Sequence, residues 1–239
     1  PAQEAYGIVW VCLSGKPRAP IPEFPLYEDP NHRLLFRQRK LWKCSAARSM
    51  ENFVDFGHFP WVHEGTLGER AHPLVSETEF KRDGESLLFF LPSDGVQSIP
   101  QPTHYRMTRP FTIYQWNADE NVNSDVFFYA VTPHAINEST RYMLITRNYD
   151  LDAPEVKHGP VWVEESDIWM EDQEYDGGVP EDIRTKDFIA DQDEPIVNNQ
   201  RPWELPLDLS EELHLKTPDA VAVHYRRFMR ELGVDVDAN

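Results

Sequence analysis

Cysteine is scarce: two residues, Cys12 and Cys44, in a chain of 239. Two thiols make neither a disulfide framework nor a four-cysteine zinc site, and a reducing, cytoplasmic compartment is the expectation. Long apolar runs are missing as well. The strongest candidates, Tyr6–Leu13 and Leu87–Leu91, are strand-sized, far short of the roughly 20 residues of a membrane helix. Positive charge is in deficit, with 23 Lys+Arg against 41 Asp+Glu and a formal net charge of −18. An acidic surface with no basic stripe repels nucleic-acid phosphates and anionic membranes, and reads first as a solubility device. No glycine-rich phosphate loop, dinucleotide fingerprint, nucleophile elbow or zincin histidine pair occurs.

What is present is a globular composition, 40% hydrophobic and 12% aromatic, long enough for a buried core. Tyr6–Leu13 reads as one buried strand, with Cys12 inside it as a core residue. Ser14–Pro30 carries prolines at 17, 20, 22, 25 and 30, so it reads as an extended link with a domain boundary near Ser14. His32–Lys43 has strand character. Ser45–Val62 reads as a helix that Pro60 must end or kink. Glu79–Leu91, Thr103–Trp116, Ser124–Thr132 and Thr140–Asn148 read as strands, with Asp-Gly turns at Asp83-Gly84 and Asp94-Gly95. Strands following a helix predict an antiparallel sheet of α+β type. Thr217 as N-cap, Pro218 at the first helical position and Gly233 at the end frame a last helix. Val221, Tyr225, Phe228, Met229 and Leu232 share its apolar face, and Arg226, Arg227 and Arg230 point elsewhere. Asp150–Asp187 holds thirteen acidic residues against Lys157, Arg184 and Lys186. It reads as a solvated loop with short helical pieces, or as a lid or docking loop.

The stretch that carries chemistry is Glu51–Gly68, ENFVDFGHFPWVHEGTLG. It contains Asn52, Asp55, His58 and His63 in the spacing D-x2-H-x4-H. Asp55 and His58 lie one helical turn apart and can hydrogen-bond. His58 and His63 are splayed on a straight helix, but Pro60 between them lets the chain turn and bring both imidazoles together. A carboxylate behind one of them supplies the outer acceptor that metal-bound histidines use. Two histidines and one carboxylate with open positions form the facial triad of non-haem Fe(II) oxygenases. The residues alone also permit two hydrogen-bonded histidines at a helix end, and they do not choose the third ligand among 41 acids.

E-N-F-x-D-x-x-H-F-P-x-V-H-E-G-x-L-G resembles the iron motif of the Rieske non-haem iron oxygenases, in the alpha (oxygenase) subunit. The resemblance extends along the chain. Tyr6–Leu13 is similar to the closing strand of the Rieske domain, and Pro20–Pro25 to the link into the catalytic domain. Asp191–Pro206 resembles the helix of the third ligand. Ser210–Leu232 resembles the final helix, including Tyr225-Arg226-Arg227. The resemblance implies a helix-grip (START-like) antiparallel sheet with flanking helices. Residues 1–25 are then the end of a Rieske domain and its link, and 26–239 the iron-binding catalytic domain.

By the same resemblance His58, His63 and Asp193 are ligands of a mononuclear Fe(II), with Asp191 and Glu194 close rivals of Asp193. Asp55 is the carboxylate that links the iron site to the cluster of a neighbouring subunit, and Asn52 an asparagine near the iron. A Rieske [2Fe–2S] cluster needs paired C-x-H and C-x-x-H motifs, which this chain lacks. The cluster is therefore expected on a preceding domain or on a separate protein. The implied partners are O2, an aromatic small molecule, a reductase or ferredoxin fed by NAD(P)H, and two further copies in a homotrimer. The implied reaction is hydroxylation or O-/N-demethylation, with vanillate-type O-demethylases, phenoxybenzoate-type oxygenases and methylxanthine N-demethylases the most similar branch. Phe89, Tyr105, Met107, Tyr114, Trp116 and Phe128 are candidates for the pocket wall, about half of which must face the other way by strand alternation. The rival reading is a helix-grip module that binds a small ligand without catalysis.

Overall fold

The computed structural model describes residues 1–92, 102–117, 119, 121–152, 156–158, 161–163, 168–170 and 181–234. Its frame is one eight-stranded sheet. The strands, after an N-terminal hairpin of β1 (Ala2–Ala5) and β2 (Ile8–Val11), are β3 (Arg33–Trp42), β4 (Glu79–Asp83), β5 (Ser86–Leu91), β6 (Thr103–Thr108), β7 (Thr112–Asn117), β8 (Asp125–Ala135), β9 (Glu138–Arg147) and β10 (Val156–His158). They run in the order β10-β3-β9-β8-β7-β6-β5-β4. All neighbours are antiparallel except β10, which adds to β3 in parallel. A separate pair, β11 (Val161–Val163) and β12 (Ile168–Met170), accounts for the remaining strands. The helices are α1 (Ala46–Val54), α2 (Phe59–Val62), α3 (Glu181–Val197) and α4 (Ala220–Leu232). This is the expected α+β, helix-grip arrangement.

Alternation sorts the sheet into two apolar faces. Leu87, Phe89, Leu91, Tyr105, Met107, Ile113, Tyr129 and Ile145 face inward, where Met50 and Val54 of α1 and Val221, Tyr225, Phe228 and Met229 of α4 cover them. Tyr114, Val126, Phe128 and Leu144 face outward against Phe24, Tyr6, Ile8 and Trp10. The proposed pocket wall therefore splits three and three. Phe89, Tyr105 and Met107 belong to the helix side, and Tyr114, Trp116 and Phe128 to the far side.

Several local expectations are corrected. Tyr6–Leu13 is not one buried strand. Tyr6 and Gly7 take φ of +61° and +69°, the two left-handed residues that a tight hairpin turn requires. Val9 and Val11 are exposed while Ile8 and Trp10 pack inward. Cys12 lies just past that hairpin, half-buried and paired with Ser14 Oγ at 3.2 Å, so Cys44 is the core cysteine. Thr103–Trp116 breaks into β6 and β7 because Arg109, ahead of Pro110, takes φ +54°. The turn after Asp83 is present, with Gly84 at φ +55°. Asp94-Gly95 lies outside the described residues, as does much of Asp150–Asp187. The pieces described there are β10, β11, β12 and the start of α3.

The last helix begins two residues after Pro218. Asp219 stands at its N-cap, but its Oδ2 accepts Leu215 N–H at 2.6 Å instead of capping the helix, and the turn before it is closed by Ala220 N–H donating to Thr217 O. Gly233 does end it, at φ +70°, with its own N–H bonded to Arg230 O and that of Val234 to Met229 O. That pair of bonds is the Schellman pattern, which satisfies carbonyls the helix end leaves open. Arg226, which points away from the apolar stripe, is nevertheless buried. It donates to both carboxylate oxygens of Glu51, to Glu212 and to Pro206 O.

Candidate metal centre

The helical stretch that holds the two histidines is two helices. Ser45 caps α1 by accepting the N–H of Arg48 at 3.2 Å, and Ala46, Ala47, Met50 and Val54 lie on its buried face. The helix stops at Asp55, whose extended backbone has ψ 102°. A reverse turn follows, closed by Gly57 N–H donating to Asp55 Oδ1 at 2.8 Å. Pro60 then sits in the first turn of α2, where a missing N–H costs nothing. Pro60 thus starts a helix rather than ending one. Phe56 nails the turn to the sheet between Phe59, Phe89 and Tyr105.

The turn brings the imidazoles together edge-on, their planes inclined by 66°. His58 Nε2 and His63 Nε2 are 3.1 Å apart. Asp193, from α3, places Oδ1 2.9 Å from His63 Nε2 and 3.2 Å from His58 Nε2. Among the described residues, these are the His, Cys, Asp and Glu side chains whose ligand atoms converge closely enough to share one ion. Asp191 and Glu194, the rivals of Asp193, instead both pair with Lys40 of β3. Further along, Val197 of α3 is buried, Ile196 is exposed and Gln200 lies beyond the helix end.

Each ring has an acceptor behind it. His58 Nδ1–H donates to Asp55 Oδ2 at 3.1 Å, and His63 Nδ1–H donates to Gln192 Oε1 at 2.9 Å. Gln192 was not foreseen. A hint lay in its position beside Asp193, but a glutamine on an acidic helix has no signature of its own. Asn52 ends up one turn before the site, half-buried, where its carbonyl accepts the N–H of Asp55 at 3.3 Å. Its side chain makes no hydrogen bond to the three converging residues.

This donor set fits a divalent cation. With both ring protons held on Nδ1, both Nε2 atoms present lone pairs. Asp193 Oδ1 is buried and receives no well-aligned hydrogen bond. Three lone pairs within 3.2 Å repel one another unless a positive charge stands among them. Nitrogen and carboxylate oxygen are the ligand types that suit a non-haem iron, and the outer acceptors fix each ring's orientation. Without a metal a proton takes that role. Burial opposes charge on His58, but its bonds to Asp193 and Asp55 outweigh burial and push its pKa up to about 9. Burial likewise works against the charge of Asp193, and the two histidines overcome it, drawing the carboxyl down to about 2.

A cavity of about 520 Å³ lies elsewhere, on the outer face of the sheet, lined among others by Leu26, His32, Tyr114 and Trp116. No member of the triad lines it. Chemistry at the triad would instead draw on the inner, helix-side face.

Comparison with known proteins gives the family and the fold. Residues 42–235 match the vanillate O-demethylase oxygenase C-terminal domain. The methylxanthine N1-demethylase NdmA of Pseudomonas putida is 26% identical over 236 residues, covering 96% of this chain and 59% of that protein. The probable methylxanthine N7-demethylase NdmC of Pseudomonas sp. (strain TJI-51) is 26% identical over 250 residues, 98% of this chain and 77% of the relative. Among solved structures, Pseudomonas putida CBB5 NdmA with caffeine superposes with a TM-score of 0.74 at 24% identity, covering 97% of this chain and 61% of that one. Dicamba monooxygenase bound to dicamba gives 0.67 at 18% identity, with 97% and 68% covered. At these identities the structural likeness speaks for the fold. The chain spans about three fifths of the length of NdmA.

Proposed function

The chain belongs to the family of vanillate O-demethylase oxygenase C-terminal domains, the catalytic domains of Rieske oxygenase alpha subunits, and from that premise we propose an O2-dependent demethylase or hydroxylase of small aromatic substrates with Fe(II) held by His58, His63 and Asp193. The observation that carries this reading is the convergence of those three ligand atoms within 3.2 Å of one another. Ferrous iron supplies the reductive activation of O2 beside a substrate C–H bond.

The protein's own residues supply the rest. Asp55 and Gln192 orient the two imidazoles. Phe59 packs against both histidines and excludes water, with Phe56 behind it and Phe89 and Tyr105 of the inner sheet face behind that. A planar methylated ring lying on that aromatic wall would present its methyl group to the site. Hydroxylation of an O- or N-methyl carbon gives a hemiacetal or hemiaminal, which collapses to formaldehyde and the demethylated ring. Asp55 is one-third exposed while His63 is fully buried. It therefore leads from the site towards the surface, as a carboxylate on the electron path from a partner subunit's cluster would. Asn52 holds the end of α1 in place beneath it.

In this reading residues 1–25 close a preceding Rieske domain and 26–239 hold the iron. The cluster lies on that domain or on a separate protein. Electrons come from NAD(P)H through a reductase, in a homotrimer.

The decisive experiment is iron per chain after anaerobic Fe(II) reconstitution, for the wild type and His63→Ala. It is followed by formaldehyde release from methylated purines and aromatic methyl ethers with NAD(P)H and a competent reductase. Near-stoichiometric iron that the variant loses, with formaldehyde released, is the expected result. No iron in either protein would leave the helix-grip binding module as the better account.

A further inference from the structure

The two histidines differ in what stands behind them. His58 leans on an anionic carboxylate, Asp55, and His63 on a neutral amide, Gln192. A glutamine amide can face a ring nitrogen with its oxygen or its NH2 group. Only the oxygen keeps the proton on Nδ1 of His63. With the NH2 group turned in, Nδ1 would have to accept, and the ring proton would sit on Nε2, 3.1 Å from His58 Nε2 and 2.9 Å from Asp193 Oδ1. That proton would occupy the place where a ligand lone pair is needed. His63 is also the more deeply buried ring, so water cannot replace the acceptor.

Gln192 and Asp193 are neighbours on α3, and the helix is anchored on both sides of them. Lys40 pairs with Asp191 and with Glu194, the latter at 3.1 Å. Val197 packs against Trp42 and Cys44 one turn further on. A single docked helix turn thus delivers a ligand and the acceptor for a second ligand.

We propose that Gln192 is a positioning residue of the metal centre, whose amide oxygen holds His63 in the Nδ1–H tautomer and so presents Nε2 to the ion. This rests on the reading of His58, His63 and Asp193 as ligands. Loss of an outer acceptor of this kind costs about ten- to a hundredfold in metal affinity.

The test uses the 239-residue chain loaded anaerobically with Co(II), a paramagnetic stand-in of the same charge as Fe(II). Affinity is measured by competition with a chromophoric chelator, and the ring N–H protons by their shifted proton resonances. The wild type should show two such exchangeable resonances, one for each histidine. In Gln192→Leu the His63 resonance should disappear by broadening as its ring loses a fixed orientation, while the Asp55-bonded one persists, and the Kd should rise about ten- to a hundredfold. Gln192→Glu, which still accepts, should keep both resonances and bind within about threefold of the wild type.

A Gln192→Leu chain with both resonances and unchanged affinity overturns the inference. So does an equal loss in the Leu and Glu variants, which would mark a packing role. Should circular dichroism show that Gln192→Leu does not fold, the wild-type spectrum decides, since a single slow-exchanging N–H contradicts the proposed tautomer. A wild-type chain that takes up no Co(II), no better than His63→Ala, removes the metal reading itself and the inference with it.

Discussion

Arg226 of α4 grips Glu51 of α1 through two bonds, Nε to Oε1 at 2.7 Å and Nη2 to Oε2 at 2.9 Å, across 175 positions of sequence. Glu212 joins them by accepting from Arg226 at 2.6 Å and from Arg48 at 2.6 Å. Both guanidiniums have side chains only 3% exposed. The two helices that flank the sheet are therefore locked by an ion network as well as by Met50, Val54, Tyr225 and Met229. Glu51 precedes Asn52 directly and Asp55 by one turn, so the network sets where the iron motif leaves α1.

Removing one partner of such a network leaves a buried charge without compensation, at a cost of about 3–5 kcal/mol. Arg226→Met should therefore lower the unfolding free energy by about that amount in urea titrations. Arg226→Lys should recover only part, because a point charge cannot bond both oxygens of Glu51 as the planar fork does. Acid should weaken the same lock. Burial works against the charge of Glu212, but Arg48 and Arg226 hold its carboxyl below the ordinary value of 4.5. A carboxyl depressed on folding stabilises above its unfolded pKa, and that contribution is lost as pH falls through the lower folded value. Glu51 is shifted upward by burial despite Arg226 and works in the opposite sense. Glu212→Gln should therefore flatten the fall in stability below about pH 4.5, and a wild-type slope in that variant would contradict this assignment.

The sheet was legible because strands advertise themselves by β-rich runs between turn residues, and β3, β5, β8 and β9 fall where those runs lie. What escaped was conformation that one residue decides. Tyr6 and Arg109 adopt positive φ although neither is a glycine, so the hairpin turn at Tyr6 and the break between β6 and β7 leave no mark in the residue pattern. Pro60 was legible as a break but not as a helix start, since proline suits both sides of a helix boundary. At the site, the spacing of Asp55, His58 and His63 was readable because the three are local. Asp193 lies 130 residues after His63 and came from the family resemblance, not from its surroundings. The geometry now separates it from Asp191 and Glu194, which Lys40 occupies. Gln192 and the burial of Arg226 were invisible because each is defined by a partner far away in sequence.

Metal loading should stabilise the fold measurably. In the apo state a proton on His58 stands among the three ligand atoms, and any ion that binds the native chain alone adds RT ln(1 + [L]/Kd), about 2.7 kcal/mol at a hundredfold excess over Kd. Anaerobic Fe(II) or Co(II) should raise the thermal midpoint by several degrees, and chelation should reverse the gain. His63→Ala should show no such response. An equal rise in that variant would place the ion elsewhere.

Asp55 should be separable from the ligands. Its Oδ2 receives His58 Nδ1–H and its Oδ1 receives Gly57 N–H. Asparagine can still offer one oxygen to His58, so Asp55→Asn should retain the metal within about threefold of the wild type. If Asp55 carries electrons from a cluster, turnover driven by NAD(P)H and reductase should nevertheless fall at least about ten- to a hundredfold in the cluster-containing enzyme. Metal loss in proportion to activity loss would reduce Asp55 to an outer acceptor of His58.

Gly68 closes the loop that follows the second histidine, and its hydrogen atoms are what allow the closure. Its carbonyl accepts the N–H of Gly65 at 2.9 Å, and Thr66 donates its hydroxyl back to His63 O at 2.9 Å. A Cβ at Gly68 would stand 2.8 Å from Pro60 N and 2.9 Å from Pro60 Cα. Those atoms are the backbone of α2, which cannot swing aside as a flexible side chain would. Gly68→Ala should push α2 away and spread His58 from His63, costing about 1–3 kcal/mol of stability. The Co(II) Kd should rise by about tenfold or more with it, since the ligand atoms depend on α2 for their spacing. Gly84→Asn is the matched control: it too lies in a turn, at φ +55°, but nothing stands within 4 Å of its missing Cβ. Asparagine tolerates that backbone, so the control should bind Co(II) as the wild type does. If Gly68→Ala also binds normally, α2 has room to relax, and the close approach of Gly68 to Pro60 does not set the geometry of the site.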